Sequence, residues 1–238
     1  MKKFIFFALL PIFAYSICDD NADRLAVSYK QISHCQDNYI IWNDGTKMFY
    51  DDGKKKSFNQ LLNSPDIEDM FHFKYPKYSF KVPLYNEDAG RIRNDAFLKK
   101  IYGKNKKDVK RKLTTINWFG QKIRVTTVNN IDKKLIKISQ ELKKLPTRFR
   151  KYLINIGGTF NWRKIAGTNR LSSHSFGNAI DINVNYSAYW RWSKGKYRYK
   201  NQIPQEIVKI FEKYGFIWGG KWYHYDTMHF EYRPELLR

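Results

Sequence analysis

The chain has 238 residues, 42% hydrophobic and 17% aromatic, with 44 Lys and Arg against 22 Asp and Glu and a formal net charge of +22. That length and apolar content can bury a full core, which excludes a disordered tail and fits one large domain or a domain with an extension. Lysine is spread along the chain, over 47–221 above all, without one dense stripe, so a solvated surface explains it as well as a nucleic-acid footprint does, and nucleic acid is not expected as a partner. A carboxylate-rich cell wall or an anionic membrane surface suits the same charge.

Residues 1–16 read as a secretory signal. Lys2 and Lys3 precede an apolar run over 4–15 that is too short for a stable span, and Ala14-Tyr15-Ser16 has the small-x-small pattern of a cleavage site. Removal of this segment, charged only at its two lysines, would lower +22 by two, to +20. The expected compartment is the periplasm or cell envelope. Membrane contact is expected only through an uncleaved signal or surface attraction, and lipid attachment at Cys18 ranks low because Ile17 before it is bulky. In an oxidising compartment the two cysteines, Cys18 and Cys35, suggest one disulfide.

Residues 24–33 are predicted as a short helix. Residues 39–42 and 47–50 flank Asn43-Asp44-Gly45, a hairpin turn sequence. Asp51-Asp52-Gly53 invites a second metal site but is better explained as a turn, and Ser57 is placed to cap a helix carrying Leu61 and Leu62. Residues 17–64 thus form an extension or small accessory β element ahead of a main domain at 65–238. Prolines at 65, 76 and 83 predict irregular chain over 66–85, with His72 a packing residue. Residues 91–102 read as a helix ended by Gly103, and Asn105 caps a second one carrying Val109 and Leu113. Residues 116–118 and 123–128 read as a hairpin turning at Gly120. Ile131, Leu135, Ile138, Leu142 and Leu145 make one apolar helical stripe stopped at Pro146. Gly157 and Gly158 lack the Gly-Lys-Ser that a phosphate loop needs. Residues 186–202 hold six aromatics among five Lys or Arg, a composition for stacking on sugars or bases or for an aromatic flap packed on the domain. Pro204 opens a helix with Ile207, Ile210, Phe211 and Tyr214 on one face, stopped at Gly215.

The chemistry concentrates in residues 171–183 and 222–232. Ile180, Ile182 and Val184 alternate with Ala179, Asp181 and Asn183, and Met228, Phe230 and Tyr232 alternate with His229 and Glu231, so each segment reads as a strand with a polar side. Zinc sites that do chemistry take three ligands from His, Asp, Glu or Cys and leave a fourth position open. His174, Asp181 and His229 meet that count, and Gly177 gives the chain a turn between the first two. On spacing alone, a loop histidine, an acid paired with lysine and a half-buried strand histidine explain the same residues equally well.

Ser172-x-His174-x-x-Gly177-x-Ala179-x-Asp181 followed by Asp226-x-x-His229 resembles the zinc signature of the D-alanyl-D-alanine peptidase family, the VanX and VanY type enzymes. The resemblance extends through Gly158-Thr159-Phe160-Asn161-Trp162-Arg163, Ile165-Ala166-Gly167-Thr168 and the glycine-rich run over 215–222, and covers 150–235. It implies one zinc ion on His174, Asp181 and His229, with Asp226 as general base and Arg163 facing charge that develops on the scissile carbonyl. Ser172 would hydrogen-bond substrate or the strand. Glu231 is the rival base and otherwise a group that orients a ligand or a neighbouring cation, and His224 is a competing imidazole. The implied substrate is the peptidoglycan stem peptide, cut as a D,D-carboxypeptidase, then as a D,D-endopeptidase or an L-alanyl-D-glutamate endopeptidase. A non-catalytic wall-binding protein is the alternative. The implied fold is α+β, like the lysostaphin and hedgehog-like peptidases: a small antiparallel sheet carrying the ligands, helices around it, and the 131–145 helix on its apolar face.

Overall fold

In the computed structural model, which describes residues 18–238, the Asp19 carboxylate accepts the backbone N–H groups of Asn21 and Ala22 and so starts helix α1 (Asp20–Ser28). The signal-like residues 1–16 lie outside the described part. Helix α1 lies upstream of the predicted 24–33 because its cap is Asp19 and because Ile32–Gln36 is strand β1. It pairs antiparallel with β2 (Tyr39–Trp42), which pairs with β3 (Lys47–Phe49). A Cys18–Cys35 disulfide, Cα atoms 5.9 Å apart, ties β1 to the chain just ahead of α1. Asp51 and Asp52 each accept a backbone N–H two residues on, from Gly53 at 2.7 Å and from Lys54 at 3.1 Å, the side-chain form of a turn, and the ammonium of Lys56 sits 3.0 Å from Asp52, 2.7 Å from Asp66 and 2.5 Å from Asp69. A lysine therefore occupies the place a cation would take in that acidic cluster. Helix α2 (Phe58–Asn63) follows, with Gln60 accepting the Ser57 N–H at 2.9 Å.

Helix α3 (Asp95–Tyr102) starts four residues later than the predicted 91–102, because Asn94 accepts the Phe97 N–H at 2.8 Å and caps it there. Residues 91–93 are left as non-helical chain, with consequences for the site. Asn105 caps α4 (Lys106–Arg111), and Leu113 belongs to the next strand rather than to that helix. Strands β4 (Leu113–Trp118) and β5 (Gln121–Thr126) form a hairpin whose two turn residues, Phe119 and Gly120, both have positive φ, the primed geometry that matches strand twist. Helix α5 (Ile131–Leu142) buries Ile131, Leu135, Ile138 and Leu142.

The ligand-bearing sheet is built from β6 (Ile156–Gly158), β7 (Ala179–Asn183), and, after helix α6 (Gln205–Lys213), β8 (Phe216–Trp218) and β9 (His229–Tyr232), in the order β6-β7-β9-β8 and antiparallel throughout. This is an α+β architecture. Its apolar face is covered most directly by α6, with Phe211 stacked on Phe230 at 4.0 Å and edge-on to Phe216. Helix α5 packs mainly on β4, β5 and α6, one step further out than the stripe at 131–145 suggested. Ala22, Leu25, Ile40 and Trp42 share one apolar cluster with Ile180, Phe211 and Phe230, so the N-terminal elements are part of the main core. Buried polar links reinforce this: the Tyr29 hydroxyl donates to Glu235 at 2.6 Å, and Glu235 accepts from Arg233. Among the described residues no helix is long and apolar enough to cross a membrane.

Candidate metal centre

Antiparallel register sets the centre. Asp181 on β7 lies directly opposite His229 on β9, so two residues 48 apart in sequence become neighbours. His174 comes from a 3-10 turn, Ser173–Phe176, just before β7. That turn is pinned: the His174 carbonyl accepts the N–H groups of Asn161 and Gly177, and the Gly177 carbonyl accepts the Thr126 N–H at 3.0 Å. Gly177 has φ +67, and a Cβ there would lie 2.7 Å from Leu113 and 3.2 Å from the Thr126 nitrogen. Gly177→Ala is therefore expected to cost about 1–3 kcal/mol and to weaken metal binding by displacing His174. Denaturant titration with and without zinc checks this, and unchanged values in both would refute it.

The three candidate ligand atoms form a small triangle. Asp181 Oδ1 is 3.1 Å from His174 Nε2 and 2.9 Å from His229 Nδ1, and the two imidazole nitrogens are 3.2 Å apart. The other ring nitrogens are spoken for: His174 Nδ1–H donates to the Thr159 carbonyl at 2.6 Å, and His229 Nε2–H to Glu231 at 2.9 Å. Those bonds select the tautomers in which both inward nitrogens present lone pairs. Two lone pairs and a carboxylate oxygen facing one another at these distances repel unless a cation or protons lie between them. Donors bound to zinc at about 2.0–2.2 Å in a tetrahedral array lie roughly 3.3–3.6 Å apart, so the triangle needs to open only slightly. The residues fit a metal ion.

Electrostatics agree with that donor set. Burial opposes a charge on His229, but hydrogen bonds and charge from Asp181 and Glu231 outweigh it and push its pKa up to about 10. Burial likewise opposes ionisation of Asp181, yet His174 and His229 hold its carboxyl far below the usual range. The site thus attracts positive charge, as a proton or as a metal.

Asp226 borders the same cleft, a cavity of about 100 Å³ lined also by Arg163, Ser172, Tyr189 and Trp222. Its backbone N–H donates to Gly219, where a side chain would come within 2.5 Å of the Asp226 carbonyl oxygen, so close approach at Gly219 holds the acid in place. Asp226 Oδ1 is buried without a hydrogen-bond partner. Burial first, and then the charge of Asp181, push its pKa up to about 6. Glu231 is placed differently. It is fully buried, does not line the cleft, and is gripped by both Nε and Nη2 of Arg93, by Arg233 at 3.4 Å and by His229. An acid so enclosed orients His229 and has no route to a substrate proton.

His224 lies outside the ligand triangle. It faces Asp88, which accepts its backbone N–H at 2.9 Å and sits 2.7 Å from Nδ1. Arg163 lines the cleft with an exposed guanidinium that has no hydrogen bond or ion pair among the described residues. Ser172 also lines the cleft, its N–H donating to the Arg163 carbonyl. The aromatic segment folds back as a flap: Tyr197 stacks on Tyr223 at 4.2 Å, Tyr199 donates to the Gly220 carbonyl, and Tyr189 and Trp190 reach the cleft. Asp88, Arg91 and Arg93 were not singled out in the sequence. The one available signal was Asn94-Asp95, a helix-start pair that frees residues 91–93 from the helix.

Asp181 and His229 from adjacent strands and His174 from the turn before β7 thus converge beside an unpaired acid in a cleft, a donor set that fits a metal ion. Residues 166–232 match the family model described as D-alanyl-D-alanine carboxypeptidase, the family that the motifs resemble, and the match supports a peptidase role. No curated protein and no solved structure gives a match.

Proposed function

We propose that the protein is an exported zinc metallopeptidase that hydrolyses peptidoglycan stem peptides at a bond next to a D-amino acid, with D,D-carboxypeptidase action first and D,D-endopeptidase action second. The observation that carries this reading is the triangle of His174, Asp181 and His229 with both tautomers set for metal binding, next to the unpaired oxygen of Asp226. Zinc held by these three side chains would supply a Lewis acid that activates water at neutral pH. Asp226 takes the proton of the attacking water and returns it to the leaving amine. Arg163 meets the negative charge that grows on the carbonyl oxygen, and Ser172 hydrogen-bonds the substrate beside it. Export is supported by the N-terminal segment with Lys2, Lys3 and Ala14-Tyr15-Ser16, and the Cys18–Cys35 disulfide suits an oxidising compartment.

Digestion of purified muropeptides, with products read by mass, tests both the metal and the bond. Chelation is expected to abolish hydrolysis and added zinc to restore it. Release of terminal D-Ala identifies the carboxypeptidase, separation of cross-linked dimers the endopeptidase, and cleavage after L-Ala the remaining specificity. Hydrolysis that survives complete metal removal would sink the proposal.

A further inference from the structure

A second cavity, about 750 Å³, adjoins the metal cleft and shares Arg91, Arg93, Trp190 and His224 with it. Its far wall is helix α2, through Phe58, Asn59, Leu62 and Asn63. Four arginines line it against one acid, Asp95. Two of the four are committed, Arg93 to Glu231 and Arg91 to Asp88. The other two are not neutralised. Arg170 has a buried Nε without a hydrogen-bond partner, and its guanidinium forms no ion pair among the described residues. Nearby Asp95 instead accepts the Leu171 N–H. Arg191 is exposed, donates only to the Ala166 carbonyl at 3.1 Å, and lies over the Trp190 ring. Burial, followed by repulsion from Arg93 and Arg91, pulls the Arg170 pKa down to about 10. A half-buried guanidinium without an acceptor is costly, and a carboxylate is the partner its planar fork fits best.

We propose that this cavity, with Arg170 and Arg191 as its recognition groups, is a subsite for a carboxylate that the substrate carries away from the bond being cut. The assignment rests on the peptidase reading and extends it from the reacting centre to the substrate. It makes the enzyme selective for acidic peptides and gives α2 a function as the outer wall of the binding groove.

Two stem pentapeptides test it, one with a free glutamyl α-carboxylate and one with that group as carboxamide. Binding is measured by calorimetry on the full chain in an Asp226→Ala background, so that neither peptide is consumed. The carboxylate peptide is expected to bind about tenfold more tightly, as for one charge-assisted contact. Arg170→Gln should erase that preference without weakening the carboxamide peptide, and Arg191→Gln, on the exposed rim, should reduce it. Equal binding of both peptides, binding of neither, or an equal loss for both in Arg170→Gln overturns the subsite. Turnover by the zinc-loaded native chain separates the two readings. A binding preference without hydrolysis keeps the subsite and sinks the peptidase, whereas hydrolysis of both peptides at equal KM does the reverse.

Discussion

Asp226→Ala is expected to lower kcat by a factor of about 10²–10⁴, the usual contribution of a positioned general acid–base group, while zinc content stays near that of the native protein. The two effects separate because Asp226 is not one of the converging donors. Stability should hold or rise. Asp226 Oδ1 is buried without a partner, so its removal breaks no side-chain hydrogen bond and relieves a desolvated acid next to Asp181. His174→Ala should instead lose metal and activity together. The pH profile supplies an independent check. A base works only when ionised, and burial and Asp181 raise the Asp226 pKa to about 6, so kcat/KM is expected to rise with pH through its acidic limb. A divalent cation among the ligands favours the ionised form, which places that limb at or below about 6 in the loaded enzyme. Normal turnover by Asp226→Ala, with metal bound, would remove the base assignment.

The part of the site that repeats locally could be read from the chain, and the part built by distant partners could not. Alternation at 179–184 and 228–232 puts Asp181 and His229 on polar strand faces, and the register then sets them opposite each other. His174 is legible because Gly177 marks a turn inside the seven-residue interval from His174 to Asp181. Periodicity is silent about Arg93, whose partner Glu231 is 138 residues away, and about Asp88, which meets His224 across 136. Arg93 falls inside the predicted helix 91–102 and Asp88 in the short stretch between it and the irregular chain over 66–85, where no period says which way a side chain faces. The same limit applies to the N-terminal elements. A small accessory β element is what Asn43-Asp44-Gly45 predicts; the contacts that tie this region to the rest are distant ones, Tyr29 at the end of α1 bonding Glu235 and Ile40 and Trp42 of β2 sharing the apolar cluster of Ile180 and Phe230. Where α5 sits could not follow from its stripe either, because a stripe specifies that a face is buried and not against what.

Glu231→Gln is the second large effect expected, and it acts through the fold and the metal rather than through the chemistry. Glu231 is fully buried, and it accepts from Arg93, Arg233 and His229 at once. A glutamine keeps the shape but removes the charge and one acceptor, leaving Arg93 and Arg233 with less compensation in a dry environment. Removing one member of a buried ion pair typically costs about 3–5 kcal/mol. Metal affinity should fall about 10–100-fold, as for other groups that orient a ligating imidazole, because the Nε2–H of His229 loses the acceptor that fixes its tautomer. The pH dependence follows from the direction of the shift. The cations around Glu231 hold its carboxyl well below the ordinary value against the opposing effect of burial, so its contribution to stability is present above the unfolded pKa and lost as pH falls through the folded one. Glu231→Gln should therefore flatten the acid side of the stability profile. What distinguishes this variant from Asp226→Ala is rescue. Excess zinc should restore most of the turnover of Glu231→Gln, since its loss lies in affinity, and none of that of Asp226→Ala, whose metal is already bound. The opposite pattern would exchange the roles of the two acids.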